Sequence, residues 1–538
     1  MPIARPPEPY PDLSWSGWGD PDAAVSLPDG MLKLLTDGLG VTAPGARVAG
    51  MEGVALASPR LGEDVVSSLS AVVGAENVDT SHEARVRRLR GKSTPDLLRL
   101  RRGEAGGAPD VVLTPATHEE VMELLAVCSE QRVAVVPFGG GTSVVGGLEP
   151  DADGFGGVAA LDVRRMAGLV ELDEVSRLAV LEPGLRLPQA EALLGERGYT
   201  LGHFPQSYEY ATVGGSAAAR SSGQSSAGYG RFDELVMAMR VATPSGALSL
   251  GRAPKSAAGP DLRQLILGSE GALGVITSLT VRVRPSPARK VYEGWRLPSF
   301  QAGADALRRL VQDGPLPTVL RLSDEAETAL NLARPGDLGQ PGAGGCLAIV
   351  GYEGSEEDVA ARREAGARVL REAGGEPDGS EAGESWVHDR FRGPYLRDAL
   401  LDAGAIVETL ETAGFWSALP GIYKAVSSAL RDALSAQGTP PVILCHISHV
   451  YPAGASLYYT IGCAALDDPL AQWSLAKAAA GDAIIAAGGS ISHHHGVGRD
   501  HLPWYEQEVG ELGIRALTAV KQQLDPAGIL NPGILLRR

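Results

Sequence analysis

Val133-Ala-Val-Val-Pro137-Phe138-Gly139-Gly140-Gly141-Thr142-Ser143 begins as an apolar, β-branched run and ends as a glycine-rich loop. The run reads as a buried strand, and the glycines after it free consecutive backbone N–H groups to line a concavity for an anion. Alone, such a loop is weak. The spacing is not G-x-G-x-x-G, and no Lys-Ser/Thr follows to make a nucleotide-triphosphate loop. Its weight comes from three later patches: Gln206-Ser207-Tyr208 continuing to Thr212-Val-Gly214-Gly215, then Ala219-Arg220-Ser221-Ser222, then Gly268-Ser-Glu270-Gly271-Ala-Leu-Gly274-Val275-Ile276. Small residues at successive turns point to one extended, diphosphate-bearing ligand touched several times.

FAD is such a ligand, and the ordered set of four patches resembles the FAD domain of the vanillyl-alcohol oxidase and p-cresol methylhydroxylase superfamily. The resemblance implies that backbone amides of Pro137–Ser143 hold the diphosphate, while the later patches line the ribityl chain and the ring. It also implies an α+β fold class: a two-subdomain FAD-binding domain of the p-cresol methylhydroxylase type, joined to an α+β substrate (cap) domain with an antiparallel sheet. Non-covalent FAD is expected, because the glycine loop offers Thr142 and Ser143 where covalent attachment needs a histidine, cysteine or tyrosine.

Four regions are read along the chain. Residues 1–105 read as a helical, loop-rich region whose arginine run, Arg85 to Arg102, is expected to be a solvated helix face. Residues 106–287 form the FAD-binding domain. Here Val111–Leu113 is a strand, Thr117-His-Glu-Glu120 is a capping box opening a helix through Glu130, and Val158–Val163 is a strand. A hairpin crosses Asp173–Ser176, a helix runs from Pro188 to Arg197, and Ser278–Pro285 alternates as a half-buried strand. Residues 288–500 form the cap domain, with helices Gln301–Gln312 and Glu357–Ala373 and strands Thr318–Leu322, Cys346–Gly351, Val442–Tyr451 and Ser456–Ala464. Gly336–Gly345 and acidic Gly375–Glu384 read as exposed loops. Residues 501–538, with a helix over Arg515–Leu524, form a C-terminal helical segment returning to the flavin site.

Composition narrows the partners. Among 538 residues, 44% are hydrophobic and 21% charged, ordinary values for a globular protein, and the net charge is −17. Nucleic acid is excluded as a partner, since phosphate neutralisation needs a basic face. An anionic substrate must therefore be met by a local basic pocket. The four cysteines, Cys128, Cys346, Cys445 and Cys463, lack C-x-x-C spacing, so neither a disulfide framework nor a zinc knuckle is expected. With no signal-peptide core and no membrane span in the sequence, cytoplasmic residence is expected.

The second constellation is Gly488-Gly-Ser-Ile-Ser-His493-His494-His495-Gly-Val-Gly498. Neighbouring side chains diverge, so three consecutive histidines are not expected to converge on one metal, and no H-E-x-x-H is present; no metal is assigned. The flanking glycines imply close backbone approach to something flat or crowded, such as a flavin, beside which histidine relays protons near neutral pH.

With these motifs, Trp15-Ser-Gly-Trp18-Gly, Gly259-Pro-Asp261, Tyr395-Leu-Arg397-Asp398 and Gly454-Ala-Ser-Leu-Tyr458, the chain resembles the alkyldihydroxyacetonephosphate synthase family over nearly its whole length. The resemblance implies exchange of the acyl group of acyl-dihydroxyacetone phosphate for a fatty alcohol through a flavin N5 adduct, with no net redox change. It assigns catalysis to Tyr458, His493, His494 and His495, and the substrate phosphate to Arg397. Lys255 stands where the family usually has arginine and is a second substrate-binding candidate, while Gln206 replaces an aspartate near the ring. A homodimer follows from the family, and a lipid substrate brings peripheral membrane contact. The ending Asp525-Pro-Ala-Gly-Ile-Leu-Asn-Pro-Gly533 looks more like the hydroxyacid dehydrogenases. An FAD-dependent oxidase or dehydrogenase of a 2-hydroxy acid or other small alcohol is thus the alternative, and a catalytically idle flavin- or lipid-binding protein is a third reading.

Overall fold

Val133–Phe138 lies at one edge of a four-stranded sheet in the computed structural model, which describes residues 3–7, 11–47, 50–330 and 344–538. The strands run in the order Val78–Asp79, Val111–Leu113, Gly157–Asp162, Val133–Phe138, parallel except for the first. Both neighbours of Gly157–Asp162 are parallel to it, and its residues are all buried, as expected of a strand covered on two faces. The helix His118–Glu130 makes the crossover. Thr117 Oγ1 accepts from the Glu120 N–H at 3.1 Å, while the Glu120 carboxylate reaches the N–H of Ala116 at 2.7 Å, one residue before the expected box partner. The C-terminal segment adds itself along Val133–Phe138: Val135 N–H donates to Ile529 O and Asn531 N–H to Val135 O, both at 2.8 Å.

A second, five-stranded antiparallel sheet follows in the order Leu169–Asp173, Leu178–Leu181, Val275–Arg282, Val236–Thr243, Gly246–Leu250. The third sheet has eight antiparallel strands: Glu376–Gly379, Arg289–Leu297, Cys346–Gly354, Val319–Ser323, Val442–Ile447, Gly454–Ala464 and Ala405–Phe415, with Val450–Tyr451 paired to Gly454–Ala464. Helices Phe300–Gln312, Glu356–Glu372, Leu419–Ala436 and Pro469–Ala486 pack on one face of this sheet around a shared apolar core. Its other face is left for the site. The α+β class and the antiparallel sheet of the third unit agree with the sequence reading.

Two local readings are corrected and a third is not tested. Most of Gly336–Gly345 lies outside the described residues. Gly375–Glu384 is not a loop: Glu376–Gly379 is an edge strand, and Glu381 opens the helix Glu381–Asp389, whose Ala382 and Trp386, four residues apart, bury against Val319, Leu347 and Ile349. The final helix starts earlier than expected, at Leu502, and breaks its regular backbone at Gly510.

The arginine run departs most. Arg85, Arg88, Arg90, Lys92 and Arg101 are buried rather than solvated. Arg88 pairs with Asp162 at 2.9 Å, Arg90 with Glu149 at 2.6 Å and Arg101 with Asp402 at 3.0 Å. The N-terminal region is a wedge between the other units, and planar guanidinium forks reach carboxylates from several of them at once.

Candidate active site

Side-chain alternation on the third sheet sorts the core from the site. Along Gly454–Ala464, Leu457, Tyr459, Ile461 and Cys463 point into the helix-covered core, while Tyr458, Thr460 and Gly462 line a cavity of about 700 Å³. The two neighbouring strands do the same: Leu444 and His446 from one, Val407 and Thr409 from the other, face the cavity. Registers place His446 and Glu411 as the two cross-strand partners of Tyr458. The Tyr458 ring stacks on His446 with centroids 4.9 Å apart and meets His495 edge-on at 5.6 Å and His494 at 6.1 Å. Burial pushes the Tyr458 phenol up to about 12, so it is protonated at neutral pH.

The triple histidine is a loop wrapped around a carboxylate. Glu411 accepts the backbone N–H groups of His493, His494 and His495 and the Ser492 hydroxyl, all within 3.0 Å. Successive N–H groups on one anion form a compact nest. Burial opposes its ionisation, but the backbone donors of the histidine loop prevail and hold Glu411 well below the usual carboxylate range. On the other side, Glu270 accepts from Val497 N–H and Gly498 N–H at 2.8 Å each. Burial lowers all three histidines, His493 and His495 to about 3, so the rings are neutral.

Two expectations change here. A Cβ on Gly496 would meet the Glu270 carboxylate, and one on Gly498 the Val145 carbonyl, so these glycines admit the protein's own groups rather than a flavin. Nor do the histidine side chains all diverge: the Nδ1 atoms of His493 and His494 lie 3.0 Å apart, and His449 brings a third ring, the three offering nitrogens within 4.8 Å of one another. Ring nitrogens of this group also have protein partners: His493 Nε2 meets the Tyr451 hydroxyl at 2.7 Å, and His449 Nδ1 meets Ser222 and Ser226 at 3.1 and 3.0 Å. His494 and His495 line the cavity, whereas His493 sits behind them.

Most flavin candidates converge on the same cavity. Pro137 to Ser143 line it, as do Gln206, Ser207, Thr212, Gly214, Gly215, Ala219, Ser221, Glu270, Gly271, Gly274, Val275 and Ile276. Three candidates do not. Tyr208 stacks on Phe391 at 5.0 Å, Arg220 turns back to Leu267 O and Gln264, and Ser222 serves His449. Lys255 lies in an exposed loop after the outer strand Gly246–Leu250 of the second sheet, is not among the residues that line the cavity, and is withdrawn as a substrate contact. The glycine loop fits an elongated anionic ligand: its backbone lines the cavity with no side chain at Gly139, Gly140 or Gly141. Its tight backing is the protein itself, since a Cβ on Gly140 would overlap Tyr210 O.

Arg397 lines the cavity but is partly engaged. Its Nε and Nη2 donate to Asp398 at 3.2 and 3.0 Å, and its Nη1 to Lys92 O at 2.5 Å, leaving two of its five N–H donors. Sequence reading missed Glu411, His446, His449, Arg321, Arg390 and Lys92. Lys92 lines the cavity, donates to Ser14 O and Trp15 O, and is lowered by burial to about 7. Also unforeseen is an apolar arm of the cavity, built by Met31, Leu34, Leu35 and Leu39 against Leu396, Leu400 and Val407.

Comparison with known proteins adds to this geometry. Residues 109–250 match the FAD binding domain family, and residues 286–535 match the family of FAD linked oxidases, C-terminal domain. An alkyldihydroxyacetonephosphate synthase of Trypanosoma brucei brucei is 31% identical, covering 98% of this chain and 93% of the relative. One from Dictyostelium discoideum is 30% identical, covering 98% and 94%. A solved alkyldihydroxyacetonephosphate synthase structure superposes with a TM-score of 0.82 at 28% identity, covering 97% of this chain and 98% of the other.

Proposed function

This chain belongs to the alkyldihydroxyacetonephosphate synthase family of FAD-dependent enzymes, and on that premise we propose that it replaces the acyl group of an acyl-dihydroxyacetone phosphate with a fatty alcohol, making an ether lipid precursor. The observation that carries this reading is the shape of the cavity: a polar end with Tyr458, His494, His495 and Arg397 is continuous with the apolar arm of Met31, Leu35 and Leu400. An amphiphile with a charged head and a long chain fits both ends, and burying each methylene of the chain contributes about 0.8 kcal/mol. A small hydroxy acid has no use for the arm.

Pro137–Ser143 would hold the FAD diphosphate through backbone amides, and Gln206, Ser207, Thr212 and Val275 line the same cavity and would contact the rest of the cofactor. Bound FAD supplies the reactive ring at which the exchange takes place. Around it, neutral His494 or His495 accepts a proton from the headgroup carbon and returns it, and protonated Tyr458 donates to the carboxylate oxygen of the departing chain, the resulting phenolate then taking the hydroxyl proton of the arriving alcohol. Glu411 and Glu270 keep the histidine loop in place, the two uncommitted N–H donors of Arg397 bind the phosphate, and the apolar arm excludes water.

Residence in the cytoplasm with peripheral membrane contact accompanies this proposal. Leu32, exposed on the short helix that also sends Met31 into the arm, supports contact with a lipid surface, and among the described residues no helix is long and apolar enough to cross a membrane. The deciding experiment is anaerobic: the purified protein is mixed with acyl-dihydroxyacetone phosphate and labelled fatty alcohol while the flavin absorbance is followed. Labelled ether product and an oxidised flavin at the end are expected. Stoichiometric bleaching by a 2-hydroxy acid, with no ether formed, would replace this reading by the redox alternative.

A further inference from the structure

Arg390 lines the cavity with donors that the fold leaves uncommitted. Its Nε and Nη1 are cut off from solvent and have no hydrogen-bond partner, and it forms no ion pair among the described residues. Instead its guanidinium sits among three aromatic rings, 4.9 Å from the centroids of Phe204 and Phe391 and 5.6 Å from that of Trp386. Ring faces attract the cation but accept none of its five N–H bonds. The other enclosed cavity arginines differ: Arg321 is paired with Glu327, and Arg397 with Asp398.

The neighbours of Arg390 also carry polar atoms without partners, among them the acceptor Gln224 Oε1. Gln206 Nε2, also lining the cavity, is a second buried donor without an acceptor. Gln224 steadies both residues, donating from Nε2 to Arg390 O at 3.2 Å and to Gln206 Oε1 at 3.4 Å. The helix Gly393–Asp402 starts beside them with no side-chain cap at Arg392, and Gly393 lines the cavity. Donors without acceptors, next to a helix N-terminus, are matched by a ligand that only accepts. Glu353 and Glu191 bear on the guanidinium electrostatically, yet neither lies within ion-pair distance of it.

We propose that Arg390, with Gln206 and the first turn of Gly393–Asp402, completes an anion subsite that holds the phosphate monoester of the substrate headgroup together with the free donors of Arg397. The subsite rests on the functional reading above, in which the substrate carries a phosphate. The segment bearing Arg390 follows the helix Glu381–Asp389 of the eight-stranded unit and is separate in the chain from the glycine loop that cradles the FAD diphosphate, so the assignment is to substrate.

The test compares dihydroxyacetone phosphate with dihydroxyacetone as ligands of the FAD-loaded enzyme, read by calorimetry and by perturbation of the flavin spectrum. Arg390→Met should weaken the phosphate ligand by roughly 10–100-fold and leave dihydroxyacetone and FAD content unchanged, while Arg390→Lys should recover part of the loss, because a point charge replaces a fork. Unchanged affinity for dihydroxyacetone phosphate in both Arg390→Met and Arg390→Lys overturns the subsite, and so does failure of the wild type to prefer the phosphorylated ligand. Loss of FAD from either variant with undiminished phosphate preference assigns the arginine to the cofactor's diphosphate and overturns the substrate role. If Arg390 controls phosphate binding yet no ether is formed by the wild type, the subsite stands and the functional reading fails.

Discussion

Glu411 and Tyr458 face each other as partners on adjacent antiparallel strands, and the same Glu411 carboxylate gathers the backbone N–H groups of His493, His494 and His495. One side chain therefore fixes the histidine loop relative to the tyrosine. Glu411→Gln removes the charge and turns an NH2 toward donors. Hydrogen bonds to a charged group contribute about 1.5–3 kcal/mol, so the variant should melt several degrees lower and lose at least about tenfold in turnover. Thermal melts and activity read this, and an unshifted melt would mean the loop is held by other contacts.

Tyr458→Phe tests the proton donor separately from the scaffold. The ring still stacks on His446, so packing is conserved and only the hydroxyl is lost. Turnover should fall by roughly 100-fold or more, with the flavin spectrum and melting temperature nearly unchanged. Full activity in this variant would remove Tyr458 from the mechanism.

Much of this was legible in the sequence because it is local. The β-branched run and glycines of Val133–Gly141 announce strand and loop in adjacent residues, and alternation along Ser456–Ala464 places Tyr458 opposite the core residues Leu457 and Tyr459. Glu411, His446 and His449 reach the site through strand pairing and loop packing with distant segments, and no spacing in the chain encodes a register between strands so far apart. Arg85 to Arg101 were misread for a related reason: a buried arginine and a solvated one have the same letter, and only the distant carboxylates tell them apart. Lys255 matched a family position in sequence yet lies on an exposed loop outside the cavity.

Gly140→Ala should lose FAD and stability together. The added Cβ would overlap the Tyr210 carbonyl, so either the glycine loop or the Tyr210–Thr212 segment must shift, and both line or back the cofactor cradle. Overpacking of this kind costs about 1–3 kcal/mol. Flavin content per chain after gel filtration measures the effect. A fully loaded variant with an unchanged melt would show that the loop accommodates the methyl.

Glu270 gives the protein a pH-dependent weakness of definite sign. Burial raises its carboxyl to about 7, partly offset by the N–H groups of Gly498 and Val497. Below about pH 4 both folded and unfolded chains hold the proton, and the group favours neither. From there to about pH 7 the unfolded chain releases the proton while the folded one keeps it, so stability falls as pH rises, by at most about 3 kcal/mol. Glu270→Gln removes this titration while its amide oxygen still accepts both N–H groups. The melting temperature of the variant should therefore gain on wild type between pH 5 and pH 8, and parallel profiles would show that Glu270 titrates normally.

The buried arginine run makes a prediction opposite to that of a solvated face. Arg88 donates from Nε and Nη2 to Asp162 Oδ2 at 3.1 and 2.9 Å, and the Asp162 side chain is 0% exposed and the Arg88 side chain 6%. On a solvated face, Arg88→Met would change stability by less than about 0.5 kcal/mol. Here it strands a carboxylate in the interior, where breaking one side of a buried pair costs about 3–5 kcal/mol. Arg164, which also donates to Asp162 at 2.9 Å but is 41% exposed, recovers part of that. A loss of about 2–4 kcal/mol is therefore expected for Arg88→Met. The double variant Arg88→Met, Asp162→Asn should be less destabilised than the sum of the two single changes, because the second substitution removes the stranded charge that the first creates. Additive losses in urea unfolding would mean that the two residues stabilise the fold independently, and that the wedge is held by packing rather than by its guanidinium forks.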